Sequence, residues 1–239
     1  MRATARISLI AALLLSPSAS LLAQPAADPS GHWEGAIHAP NMDVTIEIDL
    51  AKNGNGEAAG TFSGQNVKSL PLANFSIDGR SVGFQIKGSL PADRIFKGAL
   101  SADGTAMSGD YSQGGYTVPF NLTRTGDARI EPPIKIAAIS TELAGTWNGT
   151  LDVNGVQRSL ILTMTNQPDG TAIGHFVNVE EALEIPITSI AQKAATVTLD
   201  VKAVGGSYSG TLNPEGTELV GTLTQGSATL PLTLRRAKP

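Results

Sequence analysis

Gly79-Arg80-Ser81-Val82-Gly83 spells the Gly-x-Ser-x-Gly of a hydrolase nucleophile elbow. That motif works where a strand turns sharply into a helix and presents the serine to a histidine and an oxyanion hole. The flanking residues read differently. Asp78-Gly79 is a hairpin-turn signal, and Val82, Phe84 and Ile86 alternate as a strand does. Ser81 is therefore expected in a hairpin and not as a nucleophile. No Ser-x-x-Lys is present to supply a β-lactamase-type serine. The three histidines, His32, His38 and His175, lack the convergence that imidazole ligation needs and are read as solvated surface residues. Asn53-Gly54-Asn55-Gly56-Glu57 is rich in oxygen but short of the carboxylates of a calcium loop, and reads as a hairpin turn. No catalytic residue, metal or cofactor is expected.

Four polar residues are candidates for holding a ligand: Tyr111, Gln113, Tyr208 and Gln225. Both glutamines fall on the inward parity near the end of a strand, and a buried amide must be paired. Each is either a polar anchor in a ligand pocket with its neighbouring tyrosine, or a partner for main-chain groups at a barrel end. The structural role is the stronger reading. Trp33 with Arg124, and Trp147 with Arg236, make a second constellation. Each Trp opens a run of inward positions and each Arg closes one, so the guanidinium is expected on the indole, worth roughly 0.5–2 kcal/mol as a cation–π contact. This is a closure device and not chemistry.

These residues are positioned by a duplication. Gly31-His32-Trp33-Glu34-Gly35-Ala36-Ile37 returns 114 residues later as Gly145-Thr146-Trp147-Asn148-Gly149-Thr150-Leu151. Val118-Pro119-Phe120-Asn121-Leu122 and Arg124 return after 112 as Leu230-Pro231-Leu232-Thr233-Leu234 and Arg236. An offset so nearly constant marks two copies of one complete domain, because solenoid repeats are only ~20–50 residues long. The second copy alternates at period two and reads as eight short strands, 146–153, 157–166, 171–179, 182–190, 195–202, 206–212, 218–225 and 228–236. Turn signals such as Asn154-Gly155 separate them. A meander with one apolar face can bury it by rolling up and pairing first strand with last. The predicted class is all-β, two tandem antiparallel up-and-down barrels of about eight strands each, with β-sandwiches as the alternative. Gly35, Gly60, Gly98 and Gly109, matched by Gly149, Gly174, Gly210 and Gly221, sit on inward parity where strands bend.

The expected boundaries are a signal peptide over 1–23, a first barrel over 29–124, a linker over 125–142 and a second barrel over 143–236. Arg2 and Arg6 precede the apolar run Ile7 to Leu15 and a small-residue exit at Ala23, the plan of a secretory signal. That run is too short to span a bilayer, which takes about 20 residues. With no cysteine there is no disulfide framework, and a net charge of -4 gives no electrostatic footprint for nucleic acid. A periplasmic or secreted bacterial protein is expected, with no nucleic-acid partner and no membrane span. In the linker, Glu131-Pro132-Pro133 stiffens the connection, and Ile134-Lys135-Ile136 could add a strand to one barrel.

Gly-x-Trp on a first strand with an Arg on the last resembles the signature of lipocalins and related calycin barrels, and the chain carries it twice. Each copy is shorter than a lipocalin and lacks its helix and disulfide. The Gly-x-Trp-x-Gly opening and the ending Gln225-Gly226 … Pro231-Leu232-Thr233-Leu234-Arg235-Arg236 also resemble a repeat domain of some secreted bacterial α/β-hydrolases and serine β-lactamase-like proteins, where it precedes the enzyme. That resemblance implies an accessory role, for a chain expected to hold the repeats without the enzyme.

About twenty apolar side chains point into the second copy. An eight-strand barrel has room for little more than its own side chains, so its interior is expected to be mainly filled, with binding at a mouth or between the domains. The expected function is a non-catalytic binding or accessory protein, with a small hydrophobic ligand or a protein as its partner. The alternatives are a carrier of a small hydrophobic ligand and, less favoured, a secreted serine hydrolase.

Overall fold

The computed structural model describes residues 28–88, 94–132 and 134–238. The signal segment 1–23 lies outside the described residues. The first barrel is formed by β1 (Gly31–Ala39), β2 (Met42–Lys52), β3 (Ala58–Gly64), β4 (Val67–Asp78), β5 (Ser81–Ile86), β6 (Arg94–Leu100), β7 (Ala106–Gln113) and β8 (Tyr116–Gly126). Each strand pairs antiparallel with the next, and β8 returns to β1, so the sheet is closed. Tight turns drive the meander. Gly114 and Gly115 both take positive φ between the paired residues Gln113 and Tyr116, as do Asn154 and Gly155 between Val153 and Val156. A two-residue turn of that hand matches the twist of the strands it joins.

Alternation fills the axis. Ile46, Ile48 and Leu50 of β2, Val82, Phe84 and Ile86 of β5, and Phe120 and Leu122 of β8 are all buried in one cluster. Phe96 is its centre, with ring centroids 5.1 Å from Phe84, 5.2 Å from Phe120 and 4.7 Å from Tyr111. Each such ring or branched chain contributes about 1.5–3 kcal/mol on burial. Coiling this tightly demands a close approach of backbones. Gly98 faces Gly109 across β6 and β7, and a Cβ on Gly109 would overlap the Lys97 carbonyl. Gly210 and Gly221 repeat the pair in the second barrel, where a Cβ on Gly221 would overlap the Ser209 carbonyl.

The second barrel comprises β10 (Gly145–Val153), β11 (Val156–Asn166), β12 (Thr171–Asn178), β13 (Leu183–Pro186), β14 (Ser189–Lys193), β15 (Thr196–Val201), β16 (Gly206–Leu212), β17 (Glu218–Gln225) and β18 (Ala228–Arg236). It has nine strands where eight were expected, because the strand predicted over 182–190 is broken. β13 pairs with β12 and β14 with β15. At the break Ile187 N–H donates to Gly174 O on β12, and Thr188 N–H donates to Asp200 O on β15. The chain thus changes neighbours within two residues. β4 does the same without losing its continuity: Pro71 still pairs with β3 and Leu72 already pairs with β5, and a bulge in the β4–β5 pairing follows between Ala73 and Ser76, around Asn74 at a φ of 52°. Asparagine is one of the few residues with a side chain that tolerate this region.

The expected linker is partly built into the second barrel. Ile136-Ala137 forms a short strand, β9, on Ala172-Thr171 of β12, and Ile136 is buried in the second core. The two barrels meet at the ends away from their tryptophans. Leu183, at the start of β13, and Ala203, in the 3-10 turn Lys202–Val204, are buried in the cluster of the first barrel. Ile185 packs against both cores. Lys87 and Glu184 pair at 3.1 Å beside them.

Candidate functional site

At the closed end of each barrel the register places Trp33 opposite Arg124 and Trp147 opposite Arg236. The guanidinium carbons lie 4.7 Å and 4.2 Å from the indole centroids. Each indole N–H donates to the main chain just before its own strand, Trp33 to Pro29 O at 2.9 Å and Trp147 to Leu143 O at 3.1 Å. Each Arg in turn holds that same entering segment, Arg124 through Asp28 O and Arg236 through Ala144 O and Glu142 O. The two are not equal. Arg236 Nε donates to Gly216 O at 2.8 Å, whereas Arg124 Nε is buried without a partner. These are cross-braces that seal a barrel end.

Tyr111 and Gln113 lie at the opposite end of the first barrel, half-buried, beside Arg94. A guanidinium only donates, so the Gln113 oxygen faces Arg94 Nε and Nη2, at 3.3 and 3.2 Å, and its amide donates to Tyr111 Oη at 2.7 Å. Arg94 also donates to Glu181 O at 2.7 Å and to Ala182 O. The trio therefore braces the turn of the second barrel that sits on this mouth. Burial raises the Tyr111 phenol above its ordinary pKa, against the pull of Arg94.

Tyr208 and Gln225 do not form a corresponding pair. Tyr208 is fully buried, with its hydroxyl between the carbonyls of Leu219 and Leu232, at 3.1 and 3.4 Å, and desolvation pushes its pKa up to about 12. Its one proton is committed to the barrel wall. Gln225 is exposed and donates to Val204 O in the 3-10 turn.

Ser81 opens β5 directly after the Gly79-Arg80 turn, paired with Asp78 and Ala99. Among the described residues the only helical element is the 3-10 turn, so the strand-to-helix geometry of an elbow is missing there. No helix among them is long and apolar enough to cross a membrane. Nor is any group of three His, Asp or Glu side chains among them placed to hold a metal.

His32 departs from its sequence reading. Its parity is outward, yet it is 1% exposed. Nδ1 lies 2.8 Å from Asp49 Oδ1 and Nε2 lies 3.2 Å from Glu34 Oε1. The chain beyond β8 covers it: Arg129 N–H donates to Asp49 at 2.7 Å, and the Thr125 hydroxyl donates to Glu34 at 3.1 Å. Parity cannot foresee this, because the cover comes from Thr125 and Arg129, far along the chain from His32. A signal did exist in the mismatch between copies, since Thr146, Asn148 and Thr163 stand where the first copy has His32, Glu34 and Asp49.

The buried pair forms one wall of a groove of about 420 Å³ on the outside of the first barrel. β2 supplies Met42, Thr45 and Glu47, the β3–β4 hairpin supplies Ser63, Gln65 and Lys68, and Arg129 closes the far side. The groove is lined by hydroxyls, amides and charges of both signs together with the apolar Met42, Val44 and Ile46.

No known protein family matches the chain, and no curated protein does. Among solved structures it is similar to a protein of unknown function of the DUF3598 family from Nostoc punctiforme, at 13% identity, over 87% of this chain and 96% of that one, with a TM-score of 0.29.

Proposed function

We propose that this protein is a non-catalytic binding or accessory protein of the periplasm or the secreted space, built from two lipocalin-like barrels that present outer surfaces to a protein partner. The observation that carries the reading is the contrast between the barrel axes and the outside. Phe96, Phe84 and Phe120 occupy the axis of the first barrel, and Trp147, Tyr208 and Leu199 are fully or almost fully buried in the second. A filled interior leaves a hydrophobic cargo little to displace. The groove at His32 and Thr45, by contrast, is open and has a mixed polar and apolar lining.

Three measurements test this. The full chain should retain no fluorescent fatty acid at micromolar concentration; saturable uptake would favour the carrier. It should not hydrolyse p-nitrophenyl acetate above the rate in buffer, and turnover abolished by Ser81→Ala would overturn the reading. Expressed with its own N-terminus in a bacterial host, the protein should be exported with Gln24 as its first residue, by intact mass.

A further inference from the structure

A sheared barrel leaves strand ends projecting past their neighbours, and the two copies treat one such end differently. In the second barrel Thr150 pairs with Ser159, in the same register as Ala36 with Thr45 in the first. Successive residues of a strand turn their main-chain groups to alternate sides. Ser159 and Thr45 therefore both face away from the first strand of their barrel, toward the third.

In the second barrel that edge is covered by the chain itself. β12 runs on into the turn Val179–Ala182, where Val179 N–H donates to Ser159 O at 3.0 Å. The Glu180 carboxylate takes the Ser159 N–H with both oxygens, at 2.9 and 3.0 Å. This bond is the leading cause that holds the Glu180 pKa below its usual range.

In the first barrel the cover is missing. The last pair between β2 and β3 is Glu47 with Ser63, and only Gln65 and Asn66 separate β3 from β4, where four residues separate β12 from β13. No residue stands in for Glu180. Among the described residues no side chain meets the Thr45 N–H, and Thr45 lines the groove, whose walls carry Lys68 and Arg129 as well as Asp43, Glu47 and Asp49. In the second copy, then, the turn Val179–Ala182 covers this edge with one carboxylate and one main-chain N–H.

We propose that the open edge of β2 at Met42–Ile46 is a docking strand for an acidic polypeptide segment, whose carboxylate takes the Thr45 amide. The inference rests on the accessory reading and names the partner's chemistry. Main-chain pairing along β2 supplies affinity in the manner of strand addition, while the carboxylate and Lys68 supply selectivity. Met42, which is 60% exposed, offers an apolar lip.

The test uses a blocked synthetic peptide with the sequence of residues 178–183, Asn-Val-Glu-Glu-Ala-Leu, titrated into the whole isotope-labelled chain. Saturable movement of the Thr45 amide resonance is expected, with the Ser159 amide unmoved. The peptide carrying Glu180→Gln, and the protein carrying Lys68→Glu, should each bind roughly tenfold more weakly. Replacing Gln65 and Asn66 of the protein by Val-Glu-Glu-Ala should fill the groove from within and abolish binding without lowering Tm. A Thr45 resonance that does not move at millimolar peptide, or equal affinity for the Glu and Gln peptides, overturns the proposal. Either result leaves the accessory reading standing, since that reading falls on Ser81-dependent turnover or fatty-acid uptake.

Discussion

Arg236 stands over Trp147 with its guanidinium carbon 4.2 Å from the indole centroid, and it donates to three main-chain carbonyls around it. Arg124 holds the same pose over Trp33 at 4.7 Å with one such bond and a stranded Nε. Arg236→Ala should therefore cost more than Arg124→Ala, about 3 kcal/mol against about 1–2 kcal/mol. Urea denaturation of the two variants checks the order, and equal losses would mean that the stacking alone matters.

Gly221 sits where the β16 and β17 backbones touch, and a Cβ there has no space. Gly221→Ala should destabilise the second barrel by about 3 kcal/mol or more. Gly83→Ala should be nearly neutral, since its nearest contacts would be at an ordinary 3.5 Å. Comparing the melting temperatures of the two variants separates a steric limit from a general cost of removing glycine.

Tyr208 gives the barrel an alkaline limit. Burial raises its folded pKa from 10 to about 12, so the folded chain holds this proton more tightly than the unfolded one. That stability is fully present below about pH 10 and is lost as pH rises toward 12. Tyr208→Phe should lower stability at neutral pH by about 1–2 kcal/mol through the lost bonds to Leu219 and Leu232. It should also flatten the fall between pH 10 and 12; an unchanged alkaline slope would assign that fall to other groups.

Asp49 ties the segment after β8 to the first barrel through the Arg129 amide, with His32 behind it. His32→Ala should loosen that segment and speed tryptic cleavage after Arg129 several-fold at native pH, while cleavage after Lys97, within β6, stays slow. If cleavage at Arg129 does not change, the buried pair is not what holds the segment down.

The duplication, the strand alternation and the pairing of first strand with last could all be read from the residues, because each is a local pattern repeated twice. The broken fourth strand of the second copy could not, since the alternation of Leu183, Ile185 and Ile187 continues into the break. Its signal was Ile185-Pro186-Ile187 repeating Leu70-Pro71-Leu72, which marks the place where both copies change neighbours. Gln113 had the right parity for a barrel end, but its partner Arg94 and the Glu181 turn beyond belong to contacts that no period reveals. The groove was invisible for a related reason: it arises from a hairpin two residues shorter in one copy than in the other.

Leu183 belongs by sequence to the second barrel and by burial to the first. A lone first copy would meet water with a bare socket, and a lone second copy would carry a greasy plug. Parting the halves would thus put Leu183 and Ala203 in contact with solvent, and heat should undo the pair in a single step.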